Sequence, residues 1–141
     1  MEEKIVANNG NIKEIVNSEI ERLGNKADLN HIDVSGVTVM NSLFEYSKFN
    51  GDISNWDVSK VKNMDRMFRD SNFNQDISKW DVSKVKNMDR VFRDSNFNQD
   101  ISKWNVSNVK YMYSMFYNSK FNQDISGWDV SNVEEIGRAH V

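Results

Sequence analysis

Apolar and polar positions along this chain recur every 24 residues. Trp56, Trp80, Trp104 and Trp128 mark the period, and the residues around each repeat with it. Residues 50–73 and 74–97 differ only at Gly51/Gln75, Asn55/Lys79 and Met67/Val91; residues 98–121 are a more divergent copy and 122–134 open another. Upstream, 29–49 falls into the same register, with Ile32 in the tryptophan column and Phe49 closing the unit. The units run 26–49, 50–73, 74–97, 98–121 and a truncated 122–134, giving a repeat array over 28–134. A unit this short cannot bury a core alone, so each copy must cover the apolar face of the last.

Two short elements are predicted in each unit. Ile53 to Val58 is rich in β-branched and aromatic residues, with Trp56 and Val58 on one face at period two, and reads as a strand bent at Ile53. Val61, Met64, Met67 and Phe68 fall at i, i+3, i+6 and i+7, the stripe of a short helix or 3₁₀ turn, with Ser59 placed to cap it. The chain has no proline and only six glycines, so its turns fall to Asn, Asp and Ser, whose side chains bond nearby backbone. The expected fold is an α/β repeat solenoid. In it the tryptophans stack as a ladder and the methionine columns at 40, 64, 88 and 112 fill core.

Ahead of the array, Ile12, Ile15, Val16, Ile20 and Leu23 share one helical face and Gly24 stands at the stop position. Residues 11–27 are therefore expected to form an N-terminal capping helix over the raw end of the stack, preceded by a disordered start at 1–10. The helix's polar face, with Lys13, Glu14, Glu19, Glu21 and Arg22, is mixed in charge, which disfavours anionic lipid.

The 141 residues fit one domain, and a net charge of −3 argues against nucleic acid as partner. Without cysteine there is neither a disulfide framework nor a thiolate metal site. No apolar run is long enough to insert in a membrane, and the N-terminus lacks the basic start and apolar stretch of a secretory signal.

No triad, phosphate loop or metal-ligand spacing is present; no enzyme activity, cofactor or metal is expected. The recurring carboxylates Asp28, Asp52, Asp76, Asp100 and Asp124 follow two residues after Asn50, Asn74, Asn98 and Asn122 in the later units. They fit calcium in the manner of a metal-stabilised solenoid, or turn backbone satisfied without a metal. Lys60, Lys62, Arg66, Arg69, Lys84, Lys86, Arg90 and Arg93 form a basic ridge offset by Asp65, Asp70, Asp89 and Asp94. The candidate partner-binding residues are Tyr111, Tyr113 and Tyr117, which replace Asn87, Asp89 and Arg93 at outward columns; a packing role explains them equally.

The run W-D-V-S-x-V-x-x-M-x-x-M-F followed by S-x-F-N-x-D-I-S, over about residues 28–134, resembles the BspA-like leucine-rich repeats of bacterial surface proteins and lipoproteins. That resemblance implies a leucine-rich-repeat-like solenoid without catalytic activity. It also implies adhesion or protein interaction at the cell surface or outside the cell, with a protein or host-surface ligand as partner. The competing expectation is a purely structural repeat expansion with no specific ligand.

Residues 135–141 abandon the pattern where Met and Phe columns should follow, and read as a translated sequencing-adapter tail, the natural protein continuing with further units. Ile125, Trp128, Val130 and Val133 would then face outward as an apolar end open to end-to-end self-association.

Overall fold

The computed structural model describes residues 2–134; residues 135–141, on which the expectation of an adapter tail falls, lie outside the described residues. The fold is α/β: strand β1 (Ile5–Val6), helix α1 (Ile12–Leu23) and strand β2 (Ile32–Asp33). β1 pairs with β2 in parallel, Ile5 opposite Ile32 and Val6 opposite Asp33. This corrects the expectation of a disordered start. The backbone of Ile5 and Ala7 donates to the carbonyls of His31 and Asp33 at 2.9 Å, and Ala7 is buried.

α1 forms where the apolar spacing placed it, and Gly24 at φ 97° ends it by donating to the Ile20 carbonyl at 2.7 Å. Ile12 and Val16 enter the core, with Ile15, Ile20 and Leu23 packed against it.

The strand expected at 53–58 and the helix expected at 61–68 are both absent; beyond Asp33 the described chain turns almost continuously, with only isolated parallel bridges. Ser54 N–H bonds to Asp52 Oδ1 at 2.9 Å and Ser59 N–H to Asp57 Oδ1 at 3.0 Å. Turns then close from Trp56 to Ile53 at 3.1 Å, Val61 to Val58 at 2.9 Å and Met67 to Met64 at 3.0 Å. The first and fourth residues of a β-turn lie close together, and in these turns both are buried. Successive turns thus produce the apolar spacing of three that mimics a helical stripe. Arg66 at φ 60° and Asp70 at φ 53° sit third in the turns 64–67 and 68–71, where a type II turn needs the left-handed region.

Because the backbone turns rather than coils, its polar groups point along the stack and are met by the next unit. Met64, Arg66, Phe68 and Asp70 donate to the carbonyls of Asn87, Asp89, Val91 and Arg93 at 2.8–3.0 Å, and the same pattern recurs at the neighbouring junctions. On another edge the Asn74 and Asn98 N–H groups bond to Oδ1 of Asn50 and Asn74, 24 residues before, at 2.8 Å.

Side chains in equal positions therefore stack. The indoles of Trp56, Trp80, Trp104 and Trp128 lie 6.4–6.5 Å apart within 5° of parallel. Phe44, Phe68, Phe92 and Phe116 form a second ladder at 5.5–5.8 Å. Each tryptophan also donates Nε1–H to a carbonyl of the preceding unit, Leu29, Ile53, Ile77 or Ile101, at 3.0–3.1 Å. Trp80→Phe should therefore keep the ladder but remove one of the two bonds that the Ile53 carbonyl accepts, the Trp56 N–H remaining, at a cost of about 0.5–1.5 kcal/mol in chemical denaturation.

Gly51 replaces the glutamine of later units because the chain leaving α1 passes over it. A Cβ there would lie 2.0 Å from the Ala27 carbonyl oxygen and 2.7 Å from the Phe49 ring. Gly51→Gln should destabilise by about 1–3 kcal/mol, whereas Gln75→Gly should cost less than half as much; paired urea titrations of the two variants check this.

Candidate interaction surface

Two surface regions carry clustered polar chemistry. The first is the outward side of the turn ladder at 39–46, 63–70, 87–94 and 111–118. Here the candidate tyrosines stand on or beside turns, not on a helix. Tyr111 extends the bridge column Val39, Asn63 and Asn87 and is 40% exposed. Tyr113 and Tyr117 are half-buried under arginines of the preceding unit, with Arg90 5.0 Å and Arg93 5.1 Å from the ring centroids. A cation over a ring face is held by the ring quadrupole, so these two tyrosines both pack and present. Tyr46, in the first unit, is 63% exposed with Arg69 over its ring at 5.6 Å. Its lone aromatic ring in a column otherwise Asp70, Asp94 and Asn118 was the sequence signal for it.

The basic ridge divides on this side. Arg66 bonds Asp65 at 2.8 Å, Arg69 bonds Glu45 at 3.2 Å and Arg93 lies 3.4 Å from Asp94. Burial raises the Asp65 carboxyl above its ordinary value against the pull of Arg66 and Arg90. The arginines are thus largely neutralised, while Lys60, Lys62, Lys84 and Lys86 stand exposed outside any ion pair among the described residues.

The second region lies where the cap meets the first unit. Glu19 of α1 is buried and bonds His31 Nε2 at 2.6 Å and Arg22 at 2.8 and 2.9 Å; Arg22 also reaches Glu2 at 2.7 Å. Sequence reasoning placed Glu19 on a solvated face. Only His31, in a column otherwise Asn, Lys or Gly, hinted at a buried partner. Beside the cluster opens a polar cleft of about 520 Å³ lined in part by Lys4, Asn30, His31, Asp33 and Asn55. Glu2, Glu19 and His31 lie close enough to share a cation, but the Arg22 guanidinium already bridges the two carboxylates. The cluster thus acts as a clamp between cap and repeats.

The recurring aspartates serve the turns. Ser78 and Ser102 N–H groups bond Asp76 and Asp100 at 2.8 and 2.9 Å. The Ser78 hydroxyl and then its N–H hold the Asp76 carboxyl below its ordinary value against repulsion from Asp100, and the Ser102 N–H and then its hydroxyl do the same for Asp100 against Asp124. Ile125, Trp128 and Val133 pack partly against the core, while Val130 is 41% exposed. Among the described residues no helix is long and apolar enough to cross a membrane.

Stacked turn units behind a helical cap, with chemistry confined to surface columns, define a tandem-repeat α/β protein. It belongs to the family described as Mycoplasma protein of unknown function, DUF285, whose model matches residues 11–96 and again 69–139. The first match takes in the cap helix, and the overlap of the two reflects the internal repeat. No curated protein and no solved structure matches the chain significantly.

Bonds from Arg22 and then His31 lower the Glu19 carboxyl from 4.5 to about 2. A depressed carboxylate contributes stability that is present above its unfolded value and lost as pH falls through its folded one. The clamp should therefore weaken between about pH 4.5 and 2. Urea titrations across that range should show Glu19→Gln losing less stability on acidification than the parent; equal losses would remove Glu19 from the acid transition.

Proposed function

We propose that this chain is a leucine-rich-repeat-like solenoid of the BspA type acting as a non-enzymatic protein-interaction or adhesion module at a cell surface. The observation that carries this reading is where the aromatic residues lie. The phenylalanines and tryptophans of units 50–73 and 74–97 are buried, whereas Tyr46 and Tyr111 stand exposed on the turn-ladder side with Tyr113 and Tyr117 beside them under arginines. Aromatic and arginine side chains on a rigid surface are the usual anchors of a protein interface, since they bury large area at low entropic cost. A fixed backbone ladder keeps them in place, so little ordering is required on binding.

The resemblance to surface repeat proteins supplies the setting, with a protein or host-surface ligand as partner. Tyr111 is the discriminating position because its ring is exposed and no cation lies over it among the described residues. Tyr111→Ala should leave the melting temperature within about 2 °C while at least halving the protein retained on intact host cells. Tyr113→Ala and Tyr117→Ala should each cost about 0.5–1 kcal/mol through the lost cation–π contact. Unchanged retention in the Tyr111 variant would leave the structural repeat-expansion reading standing.

A further inference from the structure

Parallel stacking has a consequence for charge that a single unit does not show. Lys62 N–H bonds the Thr38 carbonyl, Lys86 N–H that of Lys62 and Lys110 N–H that of Lys86, each at 2.8 Å. These residues are therefore successive rungs of one column, about 4.8 Å apart along the stack. All three side chains are exposed, and among the described residues none joins an ion pair. Lys60 and Lys84 flank the same inward-pointing valines, Val61 and Val85, from the other side and are also exposed. Asp57 and Asp81 lie near enough to temper those two. The strip ends in Thr38 at one extremity and Glu134 at the other, so the positive charge is confined to the three central units.

Like charges held this close repel one another unless a counter-charge runs along them. An ordinary solvated surface mixes signs, as the arginines beside this strip do with Asp65, Glu45 and Asp94. We propose that Lys62, Lys86 and Lys110, with Lys60 and Lys84, form a binding strip for a linear acidic polysaccharide bearing carboxylate or sulfate groups. The inference rests on the adhesion reading and names a ligand class for it.

Geometry favours a sugar chain over other polyanions. The rung spacing is close to the rise of one pyranose ring, so successive acidic sugars meet successive lysines. The neighbouring column holds Asn63, Asn87 and Tyr111. The amides of Asn63 and Asn87 can bond sugar hydroxyls.

The full chain is passed over immobilised heparin at about 0.15 M salt, where exposed charges still act over roughly 8 Å. Retention is compared for the parent, for Lys62→Gln/Lys86→Gln/Lys110→Gln, and for Lys13→Gln/Lys48→Gln/Lys120→Gln. The second triple removes the same charge from exposed lysines elsewhere, and circular dichroism verifies that both variants are folded. The strip predicts that the first triple weakens binding roughly tenfold, as three exposed ion pairs would, and that the second changes it less than twofold. No retention of the parent, or equal loss in both triples, overturns it. So does a single-stranded oligonucleotide that displaces the protein at lower concentration than soluble heparin, which would make nucleic acid the ligand. Unchanged binding to heparin in Tyr111→Ala, with host-cell retention lost, would separate this strip from the tyrosine surface; loss of heparin binding alone leaves the adhesion reading intact.

Discussion

The structure depends on one constraint: a backbone that turns every few residues directs its N–H and C=O groups along the stack, where only the adjacent unit can satisfy them. In a helix the partners lie within the same segment; here Met64 needs Asn87 and Phe68 needs Val91. Each buried polar group left unmet costs on the order of 1–3 kcal/mol, so units of unequal length would forfeit a whole row of bonds at once. The 24-residue period follows. Once it is fixed, identical side chains fall into register, and parallel Trp and Phe ladders result from the backbone pairing rather than causing it.

The same constraint accounts for the cap. The first unit has no preceding copy, and β1 supplies the missing backbone partners at Ile32 and Asp33 while Asn9 meets the Thr38 N–H at 2.9 Å. α1 covers the apolar cross-section beside them. The buried Glu19 carboxylate, bonded to His31 across that joint, makes the docking specific, because a misplaced helix would leave a charge buried without its partners. Gly51 belongs to the same joint, its missing Cβ being the space through which Ala27 passes.

What the sequence shows about this protein divides along physical lines. Period, core columns and the helix at Ile12–Leu23 were legible, because burial of apolar side chains is written directly into residue type. Local backbone geometry was not. Ile53, Trp56, Val58, Val61, Met64 and Met67 have the spacing of a strand followed by a helix, yet the Asx-turns at Asp52 and Asp57 and the left-handed Arg66 and Asp70 make a run of turns instead. Arg66 and Arg90, and Tyr46 at φ 60°, carry no sequence signal for positive φ; stacking holds them there at roughly 1–2 kcal/mol each. The candidate tyrosines were readable as outward departures from the consensus. That Arg90 and Arg93 would lie over two of them depended on the turn geometry, and so did the Glu19–His31 clamp.

Stacking identical units forces every charged column to face itself, and the chain resolves this in two ways. The aspartates at 76, 100 and 124 bond back to their own serines, whose hydroxyls and N–H groups stabilise the charged form enough to outweigh repulsion along the column. Those carboxylates act as parts of turns. Lys62, Lys86 and Lys110 have no such local partner and point to solvent. The difference is chemical: a short carboxylate can accept a bond from backbone two residues on, whereas an ammonium on a four-carbon stem has donors only and cannot fold back on an N–H. Acidic columns such as these are thus absorbed into structure while the lysine column remains available, which is how an acidic protein comes to carry a positive strip.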